Sequence, residues 1–234
     1  MKYFSAPWEK RNLGVTTIEA ELEQDDIIGS VLDTLETFER GYQVVKVPPN
    51  RADIVRHLQD EGFSFVEAML RVGVVFASHA NPGPMFGGLT LTTIPADLNR
   101  VRQHVLTGMF ETDRVSLDPI FTRDQASRRF ANWIDDIIEQ GGRVIEVVYQ
   151  NEVVGFFTLQ FSGPGVLQGA LNGLYPAGRG RRLGSPLHRA ALQEARLCGC
   201  HRYWSQVSSN NPRALRAVLS AGLVLEDLLY VLVR

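Results

Sequence analysis

The sequence predicts a mixed α/β protein of the α+β kind, and three observations support this. Strand-like and helix-like segments alternate along the chain. The connection Gln150-Asn151-Glu152 is short enough to join two strands as an antiparallel hairpin. Clusters of glycine and proline punctuate the segments where elements should end. Residues 1–110 read as a partial α/β unit, an accessory to residues 111–234, which run helix, hairpin, strand, helix, strand, helix, strand.

In the first part, Tyr42 to Val47 alternates like a strand and stops at Pro48-Pro49. Ala52 to Asp60 follows as a helix with Ile54, Val55 and Leu58 on one face, and Gly62 ends it. Phe63 to Val75 supplies one or two apolar strands, and Asn81-Pro82-Gly83-Pro84 with Gly87-Gly88 makes a loop. In the second part, Asp124 is the expected N-cap of an amphipathic helix over Arg128 to Glu139, with Phe130, Trp133, Ile134 and Ile137 apolar and Gly141-Gly142 closing it. Arg143 to Tyr149 and Val153 to Phe161 form the hairpin. Val166 to Leu174 is the next strand, Ser185 to Leu197 a helix, Arg202 to Val207 a strand, Pro212 to Leu219 a helix and Leu228 to Val233 the last strand.

Composition narrows the function. The chain has 234 residues, 44% hydrophobic, with a formal net charge of -2, enough for a large core without disulfides. Cys198 and Cys200 lie too close for an unstrained bridge, which points to reduced thiols and a cytoplasmic setting. The start lacks a signal-peptide apolar run, and no segment approaches a membrane span, so no membrane partner is expected. Residues 1–110 carry 10 Lys and Arg against 14 Asp and Glu, and residues 111–234 carry 14 against 12. All 14 basic residues of the second part are Arg, and five of them fall between Arg179 and Arg196 with Glu194 as the only acid. Such a cluster fits a small phosphate-bearing ligand; the negative net charge and the lack of interleaved aromatics argue against nucleic acid.

The segment Pro176-Ala177-Gly178-Arg179-Gly180-Arg181-Arg182-Leu183-Gly184-Ser185 lies after an expected strand and before an expected helix. Backbone N–H groups at that junction lack internal partners, and the helix dipole adds partial positive charge, so an anion such as a pyrophosphate fits there. Gly180 and Gly184 let the main chain come close to a ligand. Cys198-Gly199-Cys200-His201 has too few ligands for a metal site, and none is expected. His57 and His104 fall on predicted helices without partner motifs and read as polar residues facing solvent.

The Arg-x-x-x-x-Gly spacing of Arg179 and Gly184 resembles the acetyl-coenzyme A loop of the GCN5-related N-acetyltransferase (GNAT) superfamily, with Arg182 where the first motif glycine is usual. Asn211-Pro212-Arg213-Ala214, followed by Gly222-Leu223, resembles a second superfamily segment at matching spacing. The resemblance implies a mostly antiparallel central sheet flanked by helices, and acetyl-CoA as cosubstrate. It implies coenzyme contacts from Leu171, Gly173, Leu174, Arg179, Gly180, Arg181, Arg182, Gly184, Ser185 and Asn211, with a backbone N–H between Leu171 and Leu174 meeting the oxyanion. Within the superfamily the chain is most similar to the bacterial TDP-fucosamine acetyltransferases. The similar segments are Pro7-Trp8-Glu9 through Gly14-Val15, Leu58 to Glu67, and Arg129 to Ile134.

That similarity implies acetyl transfer to a small-molecule amine, a nucleotide-linked amino-deoxy sugar, by direct attack, with residues 1–110 helping to form the acceptor site, and superfamily analogy suggests a homodimer. The tyrosine that protonates the leaving thiolate in this group is replaced here by Val218. Tyr175, Ser209 and Tyr230 are the candidates for that role, with Tyr203 and His201 in neighbouring segments. No carboxylate lies on the coenzyme strand, so a base would act through water or from Asp113 or Asp118. These two acids, with Trp133, are the expected acceptor contacts. Two alternatives stay open: another small amine as acceptor, and a catalytically silent acyl-CoA-binding or interaction protein.

Overall fold

The computed structural model describes residues 1–37, 41–76 and 91–234; the expected loop from Asn81 to Gly88 lies outside them. The elements run β1 (Lys2–Ser5), α1 (Pro7–Leu13), β2 (Thr17–Glu21), α2 (Ile28–Glu36), β3 (Tyr42–Val47), α3 (Ala52–Asp60), β4 (Ser64–Val75), β5 (Thr92–Pro95), α4 (Leu98–Leu106), α5 (Arg114–Leu117) and α6 (Arg123–Glu139). They continue with β6 (Arg143–Tyr149), β7 (Glu152–Gly163), β8 (Val166–Gly169), β9 (Asn172–Leu174), α7 (Gly184–Leu197), β10 (Arg202–Ser208), α8 (Pro212–Ser220) and β11 (Val224–Val233). Among the described residues the strands form one sheet in the order β1-β2-β3-β11-β4-β10-β8-β7-β6-β5, and β9 pairs with β7. Only β2–β3 and β10–β8 are parallel; the other pairings are antiparallel. The expected mixed, mostly antiparallel sheet is therefore what forms.

Period-2 patterning works where one face is buried: β10 alternates intermediate and buried along its length, so its odd positions Tyr203, Ser205 and Val207 enter the core. The hairpin turn places Gln150 and Asn151 at φ 51° and 62°, the paired left-handed geometry that matches strand twist. α6 begins five residues before its expected start. Thr122, and not Asp124, is the N-cap: its hydroxyl accepts the Gln125 N–H at 3.2 Å while the Gln125 side chain takes the Thr122 N–H at 2.8 Å, a reciprocal box that a lone Asp cannot make.

β11 enters between β3 and β4, so the sheet runs unbroken past residue 110. Its two faces carry separate cores. On one, Val154, Phe157, Leu187, Ala191 and Val218 pack beneath α7 and α8. On the other, Phe130, Ile134, Phe156, Leu171 and Tyr175 pack beneath α6 and α4. Adjacent Phe156 and Phe157 thus serve opposite layers, as strand alternation requires.

Candidate active site

The strand expected over Val166 to Leu174 is broken in two, and the break makes the site. β8 pairs with β10 from Val166↔Arg202 to Gly169↔Ser205. Beyond that rung the partners separate: Asn172 to Leu174 pair with β7, and Gln206 to Ser208 pair with β4. The local cause is Thr158. Its buried hydroxyl accepts the Leu171 N–H at 2.9 Å, a side chain standing in for a ladder carbonyl. Thr158 N–H donates to the Leu171 carbonyl, and Tyr175 N–H to the Val154 carbonyl, both at 2.9 Å. In an antiparallel ladder, bonded residues alternate with residues turned away. Leu171, Gly173 and Tyr175 therefore bond toward β7, and the N–H and C=O groups of Asn172 and Leu174 point across the opening at β10. Of the expected backbone donors, Asn172 and Leu174 face the cleft.

A cavity of about 590 Å³ occupies this opening and passes through the sheet. On the α7/α8 side it is bordered by His188, Asn211, Ala214 and Val218, and at the opening by Leu171, Asn172, Ser205 and Val207. On the far side its wall contains Phe4, Trp8, Glu19, Glu67, Asp113 and Trp133, so both parts of the chain build it. Asn211 caps α8, accepting the Ala214 N–H at 3.0 Å, as its position before the helix suggests.

The loop beside the cleft keeps an anion-binding shape. α7, like α1, α2 and α3, has no side-chain cap hydrogen bond, which leaves first-turn N–H groups for a ligand. Gly180 has φ 77°, and Arg182 takes φ 59°, the left-handed conformation that a glycine would adopt without strain. A Cβ on Gly184 would lie 3.1 Å from the Ala217 Cβ, a tight contact where α7 meets α8. The Arg cluster is only partly available. Arg181 is tied to Glu152 and Gln150 at 2.7 Å each and lies over Tyr149. Arg189 donates to the Ser220 carbonyl, and Arg196 covers Phe76. Arg182 is exposed, and Ser185 lies in the first turn of α7.

The expected hydroxyl donors do not gather at the cleft. Tyr175 is buried in the α6 layer, where its hydroxyl donates to Glu146 at 2.6 Å and its ring stacks on His104. Ser209 Oγ accepts the Ala68 N–H at 2.9 Å, tying β4 to the end of β10. Tyr230 lies on β11, its ring 6.3 Å from Phe65. Among the acids, Asp118 accepts from the Tyr42 hydroxyl at 3.0 Å, outside the cavity wall. Asp113 reaches the cavity, held by Arg129 at 3.1 Å and by the Ser116 hydroxyl at 2.6 Å. Val218, the position to which the resemblance assigns a tyrosine, does border the cavity.

The far wall rests on a buried ion network whose members come from distant elements. Arg114 donates to Glu9 at 2.8 Å and to Glu19 at 2.5 Å; Glu9 also accepts from Arg129 at 2.8 Å, and Glu19 from Lys46 at 2.8 Å. At the edge of this network stands Glu67, a residue that sequence patterning did not single out. It is 6% exposed, borders the cavity, and accepts the Arg114 N–H at 3.2 Å. Burial pushes its carboxyl up, and the charge of Asp113 adds to this against the Ser208 hydroxyl and Arg114. A carboxyl so placed holds a proton more readily than an exposed one, a property suited to proton transfer.

Comparison with known proteins converges on the same geometry. The model of the acetyltransferase (GNAT) family matches residues 107–222, which include the broken strand, the Arg179–Gly184 loop and the Asn211 cap. Residues 107–222 belong to the GNAT acetyltransferase family. Solved structures share its fold at low identity. A GCN5-related N-acetyltransferase from Sphaerobacter thermophilus aligns with TM-score 0.66 and 12% identity over 99% of this chain and 75% of its own. A tandem GNAT protein from the clavulanic acid biosynthesis pathway aligns with TM-score 0.56 and 15% identity, over 94% and 77%. A GCN5-related N-acetyltransferase from Kribbella flavida gives 0.55 and 14%, over 93% and 80%. No curated protein matches the sequence. GNAT enzymes use an acyl-CoA donor, and features suited to one are present here: α7 starts without a side-chain cap, the loop before it carries glycine, and the Asn172 and Leu174 N–H groups turn away from β7. Among the described residues no group of acids, histidines and cysteines could hold a metal, and no helix is long and apolar enough to cross a membrane.

Proposed function

We propose that this GNAT enzyme transfers the acetyl group of acetyl-CoA to the amine of a nucleotide-linked amino-deoxy sugar. The observation that carries the reading is the cavity through the sheet, which joins the coenzyme cleft to an acceptor chamber walled by aromatic rings and closed by the N-terminal elements. Trp8 and Trp133 offer flat surfaces for a sugar or base. Arg129 and Lys46 lie on the same wall, each paired with a carboxylate of the buried network.

The coenzyme supplies a thioester carbonyl for an amine to attack. The N-terminus of α7 and the Arg182 loop hold its pyrophosphate, and the Asn172 or Leu174 N–H meets charge developing on the carbonyl oxygen, a preorganised contribution of the kind that dominates acyl transfer. Glu67 takes the amine proton directly or through one water. Most of the acceleration comes from holding amine and carbonyl together where bulk water is kept out.

The test is a thiol-release assay with acetyl-CoA against a panel containing TDP-4-amino-4,6-dideoxygalactose, the free amino sugar, polyamines and amino acids. Turnover of the nucleotide sugar at least tenfold above the others is expected. Equal turnover of simple amines, or turnover of simple amines alone, would replace the acceptor with a different small amine. Coenzyme binding without turnover of any amine would leave a silent acyl-CoA-binding protein.

A further inference from the structure

The inner face of α7 is apolar with one exception. Leu187, Ala190, Ala191 and Ala195 are buried there, and His188, 8% exposed, sits among them. Its Nδ1 is enclosed and has no hydrogen-bond partner among the described residues, which weakens the fold. His188 borders the cavity together with Val218. The two helices touch here: Gly184, one turn before His188, faces Ala217, the neighbour of Val218.

Resting on the acetyltransferase reading, we infer that His188 replaces the missing tyrosine as the group that stabilises the departing sulfur. Burial holds the imidazole neutral, down to about 4, so at working pH it keeps one N–H and no charge, and a neutral imidazole can act as a hydrogen-bond donor to developing negative charge. The nearby hydroxyls are otherwise engaged or placed: Ser205 donates to the Gly169 carbonyl at 2.6 Å and Ser208 to the Thr112 carbonyl at 2.7 Å, while the buried Tyr203 is not part of the cavity wall. As the nitrogen–carbon bond forms, the carbon–sulfur bond breaks and its electron pair stays on sulfur. The amine proton goes to Glu67. His188 donates a hydrogen bond to the thiolate and retains its own proton, and water protonates the sulfur on release.

The experiment uses His188→Leu, His188→Gln and the double variant His188→Leu/Val218→Tyr. Two readouts are taken: steady-state kinetics, and the ionisation of bound coenzyme A followed by thiolate ultraviolet absorbance. His188→Leu should unfold at the same or a higher temperature, because it removes an unpaired polar atom. It should lose about 10- to 100-fold in kcat with little change in KM, and the bound thiol should ionise about one pH unit higher, a tenfold change. His188→Gln, which keeps a donor, should retain part of the rate, and Val218→Tyr should restore much of it to the Leu variant. A His188→Leu protein with wild-type kcat and unchanged thiol ionisation overturns the inference and leaves the acetyltransferase reading standing. A wild-type protein that binds no coenzyme A overturns both.

Discussion

Acidification of the folded protein tests the buried network quantitatively. Burial alone would raise the Glu19 carboxyl, but the charges of Arg114 and Lys46 prevail and hold it at about 2 against its ordinary 4.5. A carboxylate depressed in the folded state lends stability that is fully present above the unfolded value and is lost as pH falls from about 4.5 through about 2. The gap of about 2.5 pH units corresponds to about 3 kcal/mol, which for a chain of this size is a midpoint shift of about 6–12 °C. Urea unfolding of wild type and Glu19→Gln between pH 7 and pH 3 measures it. The stability difference should be constant from pH 7 to about pH 5 and shrink steadily below. A difference unchanged down to pH 3 would show that Arg114 and Lys46 do not hold the Glu19 charge in the fold, and the argument for a preformed acceptor wall would go with it.

Thr158→Val keeps the shape but strands the Leu171 N–H, and should cost about 1–3 kcal/mol in denaturant unfolding together with weaker coenzyme binding; an unchanged midpoint would mean that the broken strand does not depend on that hydroxyl. Arg182→Gly relieves a left-handed residue at about 1–2 kcal/mol and adds unfolded-chain entropy of about 0.5–1, so the melting temperature should rise by about 0–6 °C while coenzyme affinity falls; a lower melting temperature would contradict this. Glu67→Gln should lower kcat by about 10²- to 10⁴-fold and abolish the loss of rate on acidification that a raised carboxyl imposes, with coenzyme affinity unchanged by calorimetry. Trp133→Ala should raise KM for the acceptor and leave KM for acetyl-CoA near its starting value.

What could be read from the sequence follows the range of the interactions involved. β3 and α3 lie at the residues that periodicity indicates, because alternation and a buried Ile54–Leu58 stripe are local signals. The loop from Arg179 to Gly184 and the Asn211 cap are local too, set by backbone conformation and by one side chain on the next turn. Asp124 fails as a cap because a reciprocal pair three residues apart outcompetes a single acid. The split between β8 and β9 could not be seen, since it depends on Thr158 meeting Leu171 from another strand. Glu67 and His188 are invisible for a related reason. Each looks like an ordinary residue of its strand or helix until the sheet folds and brings the cavity to it. The buried network has the same character, joining Glu9, Glu19 and Arg114 across as many as 105 residues. Elements before residue 41 carry weak patterns, and β1, α1, β2 and α2 hold their shape through partners that arrive later in the chain.

The position of β11 bears on how the protein is made. Its end is stitched to β3, where Arg234 and Gln43 bond through both main chain and side chain across 191 residues, and its other edge runs along β4. During synthesis β3 emerges early and has no inner neighbour until β11 has left the ribosome. The nascent chain therefore carries an open strand edge for most of its translation, at the wall where the acceptor chamber will form, and contacts of such long range close slowly. Deleting residues 225–234 would open the inner edges of β3 and β4 together, so that variant should aggregate and not give a smaller folded enzyme.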